Sequence, residues 1–143
     1  MTKRKAKALW NGTLKDGKGV MNFSNYNGPF TFASRFENGE GTNPEELLGA
    51  AQAGCYSMFL SALISKEGFS PESIETDAEV ILGADETGPN ITNINLVCKV
   101  KCKGLSRDKF DELALAAKDK CPVSRLYAGG TAKISLDAEL LTL

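Results

Sequence analysis

The sequence predicts an α+β fold in which antiparallel sheets pack against helices. One observation behind this prediction is a run of 19 residues without a charged side chain, Leu47 to Ser65, which is long enough for a buried helix. Another is a set of three later segments in which apolar and polar residues alternate with period two, as in strands that bury one face. A length of 143 residues suits a single domain over residues 1–143.

The N-terminal third is predicted to form short strands and turns. Glycines at 12, 17, 19 and 28 separate the segments KALWNG, GVMNFS and FTFASRF, each of which has the composition of a short strand. The segment ENGEGTNP is rich in turn-forming residues and is interpreted as a loop that leads into the long helix.

Start signals mark the beginning of the long helix. Asn43 can act as the N-cap, Pro44 suits the first helical position, and Glu45 and Glu46 lie in the first turn, where the helix dipole favours acids. The 19-residue run is also long enough to span a membrane. However, it contains Gln52 together with serines, glycines and four alanines, so we expect an interior helix of a soluble protein.

The C-terminal half alternates strand, strand, helix, strand. In each predicted strand the residues on one face are apolar or small: Ile74, Thr76, Ala78, Val80 and Leu82; then Ile94, Leu96, Cys98, Val100 and Cys102; then Ala132, Ile134, Leu136, Ala138 and Leu140. The segment SRDKFDELALAAKDKC carries apolar residues at helical spacing: Phe110, Leu113, Ala114, Ala117 and Cys121. Because Pro122 disfavours helix at the residue before it, Cys121 is placed at or near a helix C-terminus.

Composition excludes several classes of function. The formal net charge is −1 and, apart from the short KRK at residues 3–5, no run of lysine and arginine occurs, so neither nucleic acid nor a membrane is expected as a partner. The first residues are basic but no apolar signal segment follows, which predicts a cytoplasmic protein with mainly reduced cysteines. Without histidine or a CxxC pair, a structural zinc site and a Cys-His catalytic pair are excluded, and we expect no metal or cofactor.

The four cysteines differ in what their positions suggest. Cys98 and Cys102 share the apolar face of one predicted strand, about 13 Å apart and beyond disulfide reach, and are interpreted as core. Cys121 faces the negative end of its helix, which disfavours its thiolate. Cys55 lies in the middle of the long helix, where a free cysteine can be either packing or a reactive thiol.

A reactive Cys55 would need a cation, since a position in the middle of a helix gains nothing from the helix dipole. Arginine is the natural candidate because it stays charged and can be fixed by a carboxylate. Arg35 comes just before the long helix, which offers Glu45 to hold it, whereas Arg125 follows Cys121 by four residues and competes for the role.

The segments RFENGEGTNPEELLGAAQAGCYSM and KCPVSRL, in this order, closely resemble the OsmC/Ohr family of thiol peroxidases. The resemblance is greatest to the OsmC branch and covers nearly the whole chain, from ALWNG to the last strand. It implies a peroxidatic Cys55, a resolving Cys121 that forms an intramolecular disulfide with it, and an activating pair of Arg35 and Glu45. It also implies antiparallel sheets that wrap around central helices in an intertwined homodimer.

The expected reaction follows from this resemblance. The Cys55 thiolate would attack an organic hydroperoxide, or more weakly hydrogen peroxide, and become a sulfenic acid. Cys121 would close the disulfide, and a dithiol, of which a lipoylated protein is one example, would reduce it. Two alternatives use the same residues differently: a redox sensor, and a non-catalytic binder of an apolar ligand.

A homodimer is also expected from the residues themselves. A long helix without charges exposes more apolar surface than a small α+β domain covers easily, and pairing of two such helices would bury it. In a regular helix Glu45 lies about 15 Å along the axis from Cys55, so antiparallel pairing would bring Glu45 of one subunit toward Cys55 of the other. We therefore expect composite sites, two per dimer.

Overall fold

A computed structural model describes all 143 residues of the chain, which group into two compact units, residues 1–47 and 48–143. The N-terminal unit holds a three-stranded antiparallel sheet of β1 (Lys7–Asn11), β2 (Lys18–Phe23) and β3 (Tyr26–Phe30). A short helix α1 (Phe32–Phe36) follows β3. The single domain expected from chain length remains a prediction.

The segment FTFASRF was predicted to be a strand, and this prediction was wrong. Only its first residue, Phe30, lies in a strand, and Phe32–Phe36 form α1, because Thr31 and Ser34 make a reciprocal capping box that satisfies the first backbone N–H groups of the helix. Two aromatic rings of α1, Phe32 and Phe36, pack with their centroids 4.9 Å apart. Aromatic residues suggested a strand, but local hydrogen bonds determine the outcome.

The long helix α2 (Pro44–Lys66) begins where the sequence predicts. The backbone N–H of Glu46 donates to Asn43 Oδ1 at 2.8 Å, so Asn43 is the cap. Asn43 Nδ2 in turn donates to Glu46 Oε1 at 2.9 Å and to the Ser34 carbonyl at 3.1 Å. These bonds tie the start of α2 to α1.

The C-terminal unit contains the rest of α2, two further helices and a second three-stranded sheet. Its elements in order are β4 (Pro71–Asp85), β5 (Gly88–Cys102), α3 (Arg107–Lys120), α4 (Pro122–Ala128) and β6 (Lys133–Leu140). β4 and β5 pair antiparallel, and the three predicted period-two patterns are confirmed by the alternating burial along β4, β5 and β6.

The second sheet is not antiparallel throughout, contrary to the sequence prediction. β5 and β6 pair parallel, with Ile94 opposite Ile134 and Leu96 opposite Leu136. The helices α3 and α4 return the chain to the starting end of β5 before β6 begins, and such a crossover produces a parallel neighbour. The α+β class remains, with one parallel strand pair in it.

The core of this unit lies between the second sheet and the helices. One row of α2 side chains is fully buried at a spacing of four residues: Gln52, Tyr56, Leu60 and Ile64. Gly49 allows a close approach to β4, since a Cβ there would lie 3.2 Å from Val80 Cγ2. Every residue predicted to face inward on α3 and at its C-terminus is buried.

The opposite face of α2 is open in the single chain. Ala51, Gly54 and Ala62 are exposed, and Met58 is 77% exposed. By length and composition α2 is also the one helix apolar enough to cross a membrane, a test that core helices of soluble proteins also pass. The sequence predicted a helix surrounded by protein, and one chain surrounds only one side of it.

Candidate active site

Two of the four cysteines meet in the C-terminal unit. Cys55 lies in the middle of α2, between its buried and exposed faces, and is partly exposed. Cys121 lies at the junction of α3 and α4 and is fully buried. Both are free thiols, and they lie close enough for each to shift the pKa of the other. The structure thus brings together the two cysteines singled out in the sequence.

The local structure at Cys121 is determined by the proline that follows it. Cys121 has extended backbone angles, φ −60° and ψ 135°, as expected for a residue before proline. It therefore ends α3, donating its N–H to the Ala117 carbonyl at 3.0 Å. It also begins α4, since its sulfur accepts the N–H of Ser124 at 3.4 Å as an N-cap does.

The position of Cys121 between two helices overturns the expectation that its thiolate is disfavoured. Burial opposes its ionisation, but hydrogen bonds from the Ser124 side chain and backbone, the Cys55 side chain and the Val123 backbone lower the pKa of Cys121 below its ordinary value. The sequence prediction considered only the negative end of α3. The positive end of α4 meets the same sulfur.

Cys55 has the opposite shift. Burial raises the pKa of the Cys55 thiol, and its interactions with Cys121 raise it further, against a hydrogen bond from the Val123 backbone. The two thiols therefore titrate as a coupled pair, in which ionisation of either one disfavours ionisation of the other. In the isolated chain Cys55 is the weaker acid.

Two tyrosines border the thiol pair. Tyr56 is fully buried and its hydroxyl donates to the Ala114 carbonyl at 3.3 Å. The Tyr127 hydroxyl donates to the Leu48 carbonyl at 3.3 Å, and burial together with the nearby Cys121 and Cys55 raises the pKa of Tyr127. Met58, three residues after Cys55 on α2, faces outward.

An apolar cavity of about 220 Å³ lies beside Tyr127. Aliphatic side chains from three elements form most of its wall: Leu48, Ile91, Ile94, Leu126 and Ala132. Its lining suits the hydrocarbon part of a small molecule rather than a charged group. No group of three or more Cys, Asp or Glu side chains is arranged to hold a metal ion.

The predicted arginine and glutamate pair in the N-terminal unit. Arg35 Nη2 donates to Glu45 Oε1 at 2.6 Å and Arg35 Nε donates to Oε2 at 3.2 Å, which is the two-pronged geometry of a strong ion pair. The guanidinium also lies 5.2 Å from the centroid of the Phe36 ring. Arg125, the competing cation, lies exposed in the last turn of α4.

Sequence reasoning missed a buried polar pair beside Cys121. Gln52 Nε2 donates to Ser124 Oγ at 3.0 Å, and Ser124 Oγ lies 3.3 Å from Cys121 Sγ. Gln52 is fully buried, Ser124 is 2% exposed, and Gln52 Oε1 has no hydrogen-bond partner. An unpaired buried polar atom costs about 1–3 kcal/mol. The sequence signal that could have revealed this pair was a glutamine inside an uncharged, mostly apolar run.

The fold and the paired thiols define an α+β protein with a two-cysteine site. A sequence profile for the family described as OsmC-like protein matches residues 37–137, and the chain belongs to this family. It is 41% identical over 140 residues to the peroxiredoxin OsmC of Escherichia coli (strain K12), covering 96% of each chain. It is also 33% identical over 93 residues to the organic hydroperoxide resistance protein OhrB of Bacillus subtilis (strain 168), covering 65% of this chain and 67% of OhrB.

Solved structures agree with this assignment. The crystal structure of OhrB from Bacillus subtilis superimposes with a TM-score of 0.70 at 27% identity, covering 96% of this chain and 98% of that one. An OsmC-like protein from Mycoplasma pneumoniae shares the fold, with a TM-score of 0.80 over 99% of both chains at 15% identity. The predicted OsmC-like α+β fold is confirmed, whereas the intertwined homodimer remains a prediction.

The core thiols generate a prediction about alkaline stability. Burial raises the pKa of Cys98, against hydrogen bonds from Thr76 and Tyr56, so the native protein holds this proton more tightly than the unfolded chain does. The free energy of unfolding should therefore decrease as pH rises from about 8 to about 10, through and above the unfolded thiol pKa. In Cys98→Val, which nearly conserves volume, the decrease should be smaller. Urea unfolding of both reduced proteins tests this, and equal pH dependences would contradict it.

Proposed function

We propose that the protein is a cysteine-based peroxidase that reduces organic hydroperoxides and, more weakly, hydrogen peroxide. The observation that carries the proposal is the proximity of Cys55 and Cys121, close enough for each to shift the pKa of the other, in a chain similar over 96% of its length to a protein named peroxiredoxin. Two adjacent thiols allow an oxidised sulfur to be trapped as a disulfide before it reacts further.

Exposure divides the two roles between the thiols. Cys55 is partly exposed, so a peroxide can reach it, whereas Cys121 is fully buried and accessible mainly to Cys55. The Cys55 sulfur attacks the peroxide, the O–O bond breaks, the alcohol leaves with the proton, and Cys55 becomes a sulfenic acid. Cys121 then displaces hydroxide from this sulfur and forms the disulfide.

The raised pKa of Cys55 means that its thiolate needs a cation. We assign this role to Arg35, with Glu45 as the carboxylate that orients it. Their bidentate ion pair supports the assignment because a guanidinium fixed by two hydrogen bonds can also direct its remaining N–H groups toward a peroxide. Arg125 has no carboxylate partner within ion-pair distance.

A homodimer would complete the site. The open face of α2 is uncharged and lined with small residues, which suits close packing against a second α2. A regular helix places Glu45 about 15 Å from Cys55, so antiparallel pairing would supply Glu45 and Arg35 from one subunit to Cys55 of the other. The full-length similarity to a peroxiredoxin supports a soluble protein, and we place it in the cytoplasm with a dithiol as reductant.

Cys55→Ser tests the function directly. We expect this variant to lose consumption of cumene hydroperoxide in the presence of a dithiol, down to the rate without protein, because the nucleophile is gone. Its circular dichroism spectrum should match that of the wild type, since one sulfur is replaced by a smaller oxygen. The matched control is Cys98→Val, which removes a different thiol and should keep the activity. Retained turnover in Cys55→Ser, or a wild type that is oxidised once without turnover, would contradict the peroxidase.

Arg35→Ala and Arg125→Ala distinguish the two cations. A nearby opposite charge shifts a pKa by about 1–3 units. We therefore expect Arg35→Ala to lower the rate of Cys55 oxidation at neutral pH by about 10- to 100-fold, whereas Arg125→Ala should change it less than about threefold. Stopped-flow oxidation by cumene hydroperoxide measures both. A larger loss in Arg125→Ala would mean that the cation has been assigned to the wrong residue.

Cys121→Ser should separate resolution from attack. One equivalent of organic peroxide should still oxidise Cys55 in this variant, but excess peroxide should then convert it to sulfinic and sulfonic acids because no internal thiol traps the sulfenic acid. The wild type should stop at one intramolecular disulfide per chain. Intact-mass analysis and peptide mapping distinguish the loss of two hydrogens from the gain of oxygen. A wild-type disulfide that contains Cys98 or Cys102 would assign resolution to a different residue.

The dimer is tested at the open face of α2. We expect the wild type to be dimeric at micromolar concentration by light scattering, and Met58→Glu to be monomeric and inactive because it places a charge in the interface. Leu115→Glu is the matched control, since Leu115 is also an exposed apolar residue on a helix, 55% exposed against 77% for Met58. A wild type that is active as a monomer would overturn the composite site.

A further inference from the structure

Cys121 is surrounded by hydrogen-bond donors to a degree that its packing role does not require. Its sulfur receives the backbone N–H of Ser124 at 3.4 Å and contacts Ser124 Oγ at 3.3 Å. Cys55 and the backbone of Val123 also lie close enough to lower the pKa of Cys121. A neutral thiol is a weak acceptor and gains little from such a set, whereas a thiolate is stabilised by each donor.

The direction of the hydrogen bonds beyond Ser124 supports the same interpretation. Either the thiol S–H or the serine O–H can bridge the 3.3 Å between Cys121 Sγ and Ser124 Oγ. Because Gln52 Nε2 donates to Ser124 Oγ at 3.0 Å, the oxygen has an acceptor position filled and its hydrogen is free to point at the sulfur. This orientation suits an ionised Cys121.

Packing of the core does not explain why a glutamine lies at position 52. It lies fully buried in the row that continues with Tyr56 and Leu60, where a leucine or methionine would pack without leaving Oε1 unpaired. Its single hydrogen bond reaches a residue 72 positions later in the chain, and that residue is the one that contacts Cys121. The polar side chain therefore supports the thiol site rather than the core.

We propose that Gln52 and Ser124 are positioning residues that form a buried relay, Gln52 to Ser124 to Cys121, and that this relay stabilises the Cys121 thiolate. The effect of this relay on catalysis rests on the resolving role proposed for Cys121 above. As a thiolate, Cys121 attacks the Cys55 sulfenic acid, the S–S bond forms, the S–O bond breaks and hydroxide leaves. The proton that Cys121 released to solvent on ionising converts this hydroxide to water. During reduction the same relay stabilises Cys121 as the leaving thiolate when a dithiol attacks the Cys55 sulfur.

The titratable groups facing Cys121 are few. Cys55 and Tyr56 lie on α2, and Tyr127 lies on α4; the charge of Cys121 acts on all three. All three are acids that are neutral when protonated, and burial raises the pKa of each. Hydrogen bonds rather than a neighbouring cation therefore favour the Cys121 anion in this chain.

The test measures Cys121 alone, in the Cys55→Ser background, with no peroxide present. The ultraviolet absorbance of the thiolate is followed over a pH series, as the difference between Cys55→Ser and Cys55→Ser/Cys121→Ser. This difference gives the midpoint at which the Cys121 thiolate forms, and it needs no reagent to enter the core. We expect Ser124→Ala to raise this midpoint by about one pH unit, which corresponds to a tenfold smaller thiolate fraction well below it. Gln52→Met should raise it by a smaller amount in the same direction.

Coupling between the two residues separates a relay from two independent packing effects. In a relay Gln52 acts through Ser124, so Gln52→Met added to Ser124→Ala should shift the midpoint no further. Ser57→Ala is the matched control: it lies on the same helix and removes a 2.7 Å hydrogen bond to Thr76, and it should leave the midpoint unchanged. Gln52→Leu repeats the measurement with a second side chain in case methionine packs poorly.

Several results would overturn the relay. They are an unchanged midpoint in Ser124→Ala, additive shifts of Gln52→Met and Ser124→Ala, and a shift in Ser57→Ala as large as that in Gln52→Met. The outcome is independent of the peroxidase assay. A protein without peroxide turnover can still show the midpoint shifts, and an active peroxidase can still lack them, so the failure of one proposal is distinguishable from the failure of the other.

Discussion

The packing of one row of α2 side chains determines where the thiol chemistry can occur. Gln52, Tyr56, Leu60 and Ile64 repeat at intervals of four residues and are completely buried. Four residues are slightly more than one helical turn, so the row stays on one face along the whole contact. Cys55 precedes Tyr56 and therefore lies at the edge of this face, partly buried, rather than inside the core or fully in solvent.

A single proline supplies the partner thiol with its environment. Pro122 prevents α3 from continuing through Cys121 and at the same time suits the first position of α4. Cys121 thus gains the N-cap contacts of a new helix at the point where the previous helix ends. The result is a buried sulfur with a lowered pKa next to a more exposed sulfur with a raised one.

Features encoded by neighbouring residues were predictable, and features that depend on distant residues were not. The cap at Asn43 and the alternating burial of β5 depend on spacings of two to four residues, which the sequence displays directly. The parallel pairing of β6 depends on how long the crossover is and where it packs. The contact of Gln52 with Ser124 joins residues 72 positions apart, so only an unexplained glutamine in a mostly apolar run could suggest it.

Two errors in the sequence interpretation have a common cause. In each, only one of two local structural signals was considered. FTFASRF was assigned from its aromatic content, although Thr31 and Ser34 form a capping box that favours a helix start. The acidity of Cys121 was judged from the helix that ends there, although Pro122 indicates that a second helix begins at the next residue. The positions of Arg35 and Glu45 in sequence, by contrast, were enough to predict their ion pair, because ten residues of loop and helix start separate them.

The opposite acidities of the two thiols fit their opposite exposures. A thiolate is the form of cysteine that reacts with peroxides and disulfides, so an exposed thiolate at rest would be open to any oxidant. Here burial protects the more acidic sulfur, and the more accessible sulfur stays protonated until a cation stabilises its anion. Under the proposed function, peroxide attack therefore depends on Arg35 of the other subunit, which stabilises the Cys55 anion, while the second step, in which Cys121 attacks Cys55, needs no further cation.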